Sequence, residues 1–111
     1  DATRSTLLSQ LTDAFNSRMS VTLINDGRLI GLVFIDIETQ NMFRFPGSFA
    51  LTNVLDAACQ STAVLPNCRT NTLVTGATSA GAMWADGIRP GPTVQARMGS
   101  LAEFRAKNNP F

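Results

Sequence analysis

Several residue types on which enzymes depend are missing or scarce in this chain of 111 residues. The sequence has no histidine, which excludes catalysis with a histidine base, and its only lysine, Lys107, gives no basis for a Ser–Lys pair. The two cysteines, Cys59 and Cys68, are not spaced as C-x-x-C, so neither a zinc site nor a redox motif is indicated. We therefore predict a protein that is not an enzyme and holds no metal or cofactor.

Charged residues and long hydrophobic runs are also few. Charged residues make up 15% of the chain and the formal net charge is +1, so the basic excess that drives non-specific binding to nucleic acids is absent. The longest apolar run, residues 29–37, contains a glycine and is far shorter than the roughly 20 residues of a membrane-spanning helix. Any contact with RNA must depend on a few placed residues or on several copies in a ring, and no membrane partner is expected.

The sequence leaves the compartment open. The first residues lack the basic start, apolar middle and cleavage site of a signal peptide, which slightly favours an intracellular location. Cys59 and Cys68 either close a short loop as a disulfide or stay apart as small buried residues, and both alternatives remain. Hydrophobic residues form 44% of the chain, which is enough for one folded domain with a single core.

The first half of the chain shows a helical pattern followed by strand patterns. Residues 6–16 carry apolar side chains at helical spacing after Ser5, a suitable N-cap, which predicts a short helix. Asn25-Asp26-Gly27 favours a tight reversal between two apolar segments, and a third apolar segment follows a polar turn. The three predicted strands cover residues 19–23, 29–37 and 42–45. Together they form a meander.

The second half of the chain is less regular. Residues 46–81 show no strong period, so we expect a long irregular insertion there. Two further strands are predicted at residues 82–88 and 93–98, on either side of a turn rich in proline and glycine. Residues 100–107 follow a capping-box pattern, which predicts a C-terminal helix. The expected fold is mainly β with short flanking helices (α+β), in one domain over residues 1–111.

The order of these features resembles the Sm and Sm-like proteins. Their first motif is a strand ending in D-G-R, then a glycine, an apolar run, an aspartate, an asparagine and a third strand. The matching residues here are Asp26, Gly27, Arg28, Gly31, Asp36 and Asn41. The second motif, a turn built on I-R-G before a closing strand, is similar to Ile88-Arg89-Pro90-Gly91. Two spacings in the first motif differ by one residue from the family pattern, and Pro90 interrupts the second.

The resemblance implies a small, strongly bent five-stranded barrel with an N-terminal helix. Such barrels assemble into rings by pairing of edge strands, and single-stranded RNA threads the ring. Carried over to this chain, the implied RNA-binding residues are Asp36, Asn41, Arg89 and Gly91. The function expected from the resemblance is a non-catalytic subunit of a ring or hetero-complex that binds RNA or scaffolds protein partners through its strand edges.

A second hypothesis comes from a different class of protein. If Cys59 and Cys68 are bridged, the chain is a secreted or virion-associated structural β-domain without a ligand site. Trp84, the only tryptophan, is read as a core residue, with a base-stacking platform as the alternative. Four arginines are read as scattered surface charges, with a joint anion site as the alternative. These are Arg44, Arg69, Arg89 and Arg97.

Overall fold

A computed structural model describes residues 1–23 and 30–108. Three α-helices and two short β-strands lie within them. In chain order these are α1 (Ala2–Thr22), α2 (Ile35–Arg44), β1 (Asn53–Ala57), β2 (Ala82–Trp84) and α3 (Pro92–Lys107). Two short 3-10 helices cover Pro46–Phe49 and Thr70–Thr72. The chain forms two compact units, one of Asp1–Val33 with Phe104–Phe111 and one of Phe34–Glu103.

The predicted five-stranded barrel and the mainly β class are wrong. The described residues contain one open sheet of two parallel strands, and helices dominate the rest. Of the five predicted strands, only 82–88 begins as a strand, and it ends at Trp84. Residues 19–22 belong to α1, residues 35–44 form α2, and residues 93–98 lie within α3. The predicted reversal at Asn25-Asp26-Gly27 lies outside the described residues.

Helix α1 confirms the predicted N-terminal helix but is about twice as long. It begins at Ala2, and the N-cap is Asp1 in place of the predicted Ser5: the Asp1 side chain accepts a hydrogen bond from the Thr3 amide at 3.0 Å. Met19 was expected to start a strand, yet it also follows Phe15 by four residues, which is helical spacing. A short apolar alternation fits both periods, and here the helix continues through it.

Helix α2 takes in the end of the second predicted strand and most of the third, while residues 30–34 before it are neither helix nor strand. Asp36 and Glu38 lie in its first turn and Arg44 lies in its last, which matches the helix dipole at both ends. Met42 is buried and packs the helix against the core, whereas the neighbouring Phe43 is half exposed. The same apolar residues that suggested alternating strands therefore form one buried face and one exposed face of a helix.

The two strands pair in parallel, with Asn53 opposite Ala82 and Ala57 opposite Trp84 and an irregularity of register between them. Parallel strands need a long connection, and residues 58–81 supply it without an α-helix. The hydrophobic core beside the pair consists of Met42, Leu51, Met83 and Val94, with Phe49, Val54, Trp84 and Met98 packed against it. Trp84 is held by a 3.0 Å hydrogen bond from its Nε1 to the Val54 carbonyl oxygen, which supports its role in the core.

Helix α3 joins a predicted strand and a predicted helix into one element. Pro92 occupies its first position, where a missing N–H costs nothing and the fixed φ suits a helix. Val94 is buried, and Met98 and Leu101, four and seven residues later, are half-buried, so the core-facing side follows the helical period. The C-terminal helix predicted at residues 100–107 is confirmed as the second half of α3.

Cys59 and Cys68 form a disulfide, with 5.7 Å between their Cα atoms. The bridge closes a loop within the connection between the strands. Cys59 is itself held in place, because its amide donates to the Ala85 carbonyl oxygen at 2.9 Å and it forms an isolated antiparallel bridge with Leu73. Of the two alternatives that the sequence left open for these cysteines, the structure has the disulfide.

Candidate functional site

Two of the four predicted RNA-binding residues, Asp36 and Asn41, lie on α2 rather than in a loop between strands. Both are half-buried. Five residues separate them, which on an α-helix turns their side chains about 140° apart. The Asn41 carbonyl oxygen accepts the amide of Phe45 at 2.8 Å and ends the helix. Asp36 and Asn41 are therefore not placed to hold one base between them.

Arg89 lies in the turn after β2, where it pairs with Asp86. Its Nη1 lies 2.6 Å from Asp86 Oδ2. The other carboxylate oxygen, Oδ1, accepts the backbone amides of Ile88 at 3.0 Å and Arg89 at 2.7 Å. Asp86 thus organises the whole turn, and the Arg89 guanidinium is part of that arrangement. These hydrogen bonds, first from the Ile88 amide and then from the Arg89 amide, hold the pKa of Asp86 below its usual range.

The turn makes stability depend on pH in a defined direction. Since the pKa of Asp86 is lower in the folded chain, its contribution is present above the unfolded value of about 3.9 and is lost as the pH falls through the folded value. We expect Asp86→Asn to lower stability at neutral pH and to flatten the loss of stability in acid. Urea unfolding measured from about pH 2 to pH 7 tests this. An unchanged acid slope would contradict it.

Gly91 is buried where β2 meets the start of α3. Its amide donates to the Met83 carbonyl oxygen at 2.7 Å, and its carbonyl oxygen accepts the amide of Gln95 at 3.0 Å. A Cβ atom at this position would overlap the carbonyl oxygen of Ala82, which β2 holds in place. Close packing against β2 therefore explains why residue 91 is glycine, and no ligand is needed for this explanation.

The alternative of a joint arginine site is also weakened by local pairs. Arg97 forms an ion pair with Glu38 of α2, and its guanidinium carbon lies 5.8 Å from the centre of the Phe49 ring. Arg89 is held by Asp86. Two of the four arginines are thus paired with carboxylates. Among the described residues, no cluster of His, Cys, Asp or Glu could hold a metal ion.

The most distinctive surface of the described residues is the apolar face of α1. No residue of this helix is buried, although it is 21 residues long. Phe15 is 65% exposed and Leu11 is 58% exposed. The exposed apolar side chains lie in a row with a spacing of four residues, with Leu8 beside it. We call this row, Leu7, Leu11, Phe15 and Met19, the α1 ridge.

The charges of α1 are arranged around this ridge. Arg4 lies one turn before Leu7, and Arg18 lies one turn after Phe15, so both arginines are on the same side of the helix as the ridge. Asp13 lies two residues from both Leu11 and Phe15, which places it on the opposite side. The ridge is therefore an exposed apolar surface with a cation near each end. The acids of this segment are Asp1, which caps the helix before Arg4, and Asp13 on the opposite side.

Comparisons with protein-family models, with curated proteins and with solved structures found no match. The resemblance to the Sm-like family therefore stays a prediction, without the barrel that it implied. Its D-G-R signature, Asp26, Gly27 and Arg28, lies outside the described residues. The helix predicted over residues 6–16 covers only the first part of α1. The apolar spacing of four residues continues from Phe15 to Met19, and this is the signal for the longer helix.

Proposed function

We propose that this chain is a non-catalytic subunit that binds another protein through the α1 ridge. The observation that carries the proposal is that α1 buries none of its residues while exposing a continuous apolar row. A helix of a globular protein normally buries a stripe of apolar side chains, and a helix without such packing is only marginally stable in water. Contiguous exposed apolar patches are typical of interaction surfaces. A partner that covers the ridge would supply the missing packing.

The spacing of the ridge favours a helix as the partner's contacting element. Side chains four residues apart form an inclined ridge on a helix, and such ridges fit the grooves of a second helix that crosses at about −50°. A parallel coiled coil would instead need apolar residues that alternate between spacings of three and four. We therefore expect one amphipathic helix that crosses α1 at an angle, with its own apolar row set between Leu11 and Phe15.

The charges favour a partner helix with acidic ends. Arg4 and Arg18 are 14 residues apart, or about 21 Å along the helix axis. Glutamates or aspartates on either side of the partner's apolar row would meet these arginines and steer its binding. A second copy of α1 would bring arginines towards arginines in either direction. A membrane surface is less suited, because helices that bind it carry lysine and arginine across the polar face, where α1 has Asp13.

Two further features support a structural role. The sequence has no histidine, and the residues expected to bind RNA serve the folding of α2 and of the turn before α3.

The Cys59–Cys68 bridge is typical of proteins in oxidising compartments, so we propose that the chain meets its partner in such a compartment. No helix among the described residues is long and apolar enough to cross a membrane.

The proposal is tested with two labelled helical peptides that share one apolar row and differ only at its flanks, which are glutamate in one and lysine in the other. We expect the acidic peptide to bind at least about tenfold more tightly by fluorescence anisotropy, with the difference reduced by salt. Phe15→Asp should remove most of the binding. Val21→Asp is the matched control, because Val21 is 78% exposed on the same helix and follows Met19 by two residues, away from the ridge.

Reversing the flanking charges separates the electrostatic contribution from the apolar one. The double variant Arg4→Glu/Arg18→Glu should prefer the basic peptide, whereas Asp13→Lys, on the opposite side of α1, should leave the preference unchanged. Sedimentation as a dimer that Phe15→Asp abolishes would assign the ridge to a second copy of the chain. Binding to anionic vesicles but to neither peptide would assign it to a membrane. Either result would overturn the proposal.

A further inference from the structure

A cavity of about 300 Å³ lies beside the disulfide, within the unit Phe34–Glu103. Its walls come from the residues just after β1, the disulfide loop, β2 and the first turn of α3. The surfaces that face it are largely apolar and include the bridge itself. These are Cys59, Cys68, Leu65, Leu73, Trp84 and Pro92. We call it the disulfide cavity. Unlike an ordinary surface groove, this cavity has a disulfide bond in one of its walls.

Two polar side chains at the cavity donate hydrogen bonds within the chain. The Trp84 indole N–H donates to the Val54 carbonyl oxygen, which fixes the ring at the cavity wall. The Gln95 amide donates to the Pro90 carbonyl oxygen at 2.8 Å. Arg69 is different, because its guanidinium donates no hydrogen bond and forms no ion pair to any residue that the structure describes. The cavity thus combines an apolar wall with one cation, Arg69, whose N–H groups can donate hydrogen bonds to a ligand.

The geometry points to a binding site for a small organic acid that carries one aromatic or branched aliphatic group. The apolar group would lie against Trp84 and the disulfide, and the carboxylate would accept hydrogen bonds from Arg69, whose planar fork matches a carboxylate in two parallel bonds. A cavity of this volume is at the lower end of the range for ligand pockets, which favours a small ligand. The site does not involve α1 and is independent of the function proposed for that helix.

Trp84 makes the site directly testable, since it is the only tryptophan in the chain and lines the cavity. The probe is 3-phenylpropionate, compared with the neutral 3-phenylpropanol, which has the same ring and chain without the carboxylate. We expect the acid to change Trp84 emission with a saturable curve at concentrations up to about 10 mM, and the alcohol to bind at least about tenfold more weakly. Calorimetry on the same pair confirms that the change in emission reports binding.

Variants of two arginines identify the cation. Arg69→Met should remove the preference for the acid over the alcohol, and Arg69→Lys should retain part of it. Arg44→Met is the matched control, because Arg44 is also exposed and does not line the cavity, and it should leave both affinities unchanged. Circular dichroism checks that each variant is folded. Equal affinity for acid and alcohol, no saturable change with the acid, or an equal loss in Arg44→Met would overturn the inference.

Discussion

Replacing Met42 with alanine is expected to lower the free energy of unfolding by about 2 to 5 kcal/mol. Met42 is 1% exposed and packs in the core with Leu51, Met83 and Val94, which come from three other parts of the chain. Alanine is the best helix-forming residue, so the change does not weaken α2 itself. The loss comes from the cavity left in the core, and urea or thermal unfolding followed by circular dichroism measures it.

The neighbouring residue provides the control for this prediction. Phe43 is 50% exposed on the same helix, and Phe43→Ala should cost less than about 1 kcal/mol because little of its side chain leaves a packed site. Met42→Leu, which nearly conserves volume, should cost less than about 1.5 kcal/mol. If Phe43→Ala were as costly as Met42→Ala, the register of α2 against the core would be different from the one described here.

The ends of the chain were the most predictable parts of the fold. Helix α1 and the second half of α3 carry helical spacing and capping residues that act locally, so their type could be predicted without knowing what they pack against. Their lengths could not. Met19 and Val94 sit in short stretches that fit a strand period as well as a helical one, and only packing or continuity with a neighbouring helix decides between the two.

The middle of the chain was mispredicted for a related reason. Residues 29–37 are rich in β-branched and apolar side chains, which favour strands when they can pair with other strands. Strand preference depends on that context, whereas the first turn of α2 gains from Asp36 and Glu38 through the helix dipole and its last turn buries Met42. The strand that did form at residues 53–57 carries no clear alternation, because its burial depends on β2, 25 or more residues later.

The candidate site could be predicted only in part. Asp36, Asn41, Arg89 and Gly91 were chosen because of their order along the chain, and order does not bring side chains together unless the expected sheet forms. The apolar side of α1 was visible in the sequence, but an amphipathic pattern does not say whether the same chain or another one covers it. Only exposure in the folded chain distinguishes a buried helix from one that is available to a partner.

Removing the disulfide is expected to cost roughly 2.5 kcal/mol, the loop-closure value for a bridge that spans 9 residues. The bridge is the main constraint on its loop, because none of residues 60–67 is buried and none lies in a helix or strand. The double variant Cys59→Ala/Cys68→Ala avoids placing a hydroxyl at residue 59, which is buried. Urea unfolding with and without dithiothreitol measures the change.

Reduction should destabilise the natural chain by the same amount as the double variant and should leave the double variant unaffected. Two thiols that react with DTNB in the denatured, unreduced protein would contradict the bridge, and equal stability with and without it would contradict its role. Since small domains are stable by only about 5–15 kcal/mol, a loss of this size raises the unfolded fraction by roughly 70-fold. Reduction would also remove the covalent link in the wall of the disulfide cavity. We therefore expect it to weaken binding of 3-phenylpropionate and to leave binding at the α1 ridge unchanged.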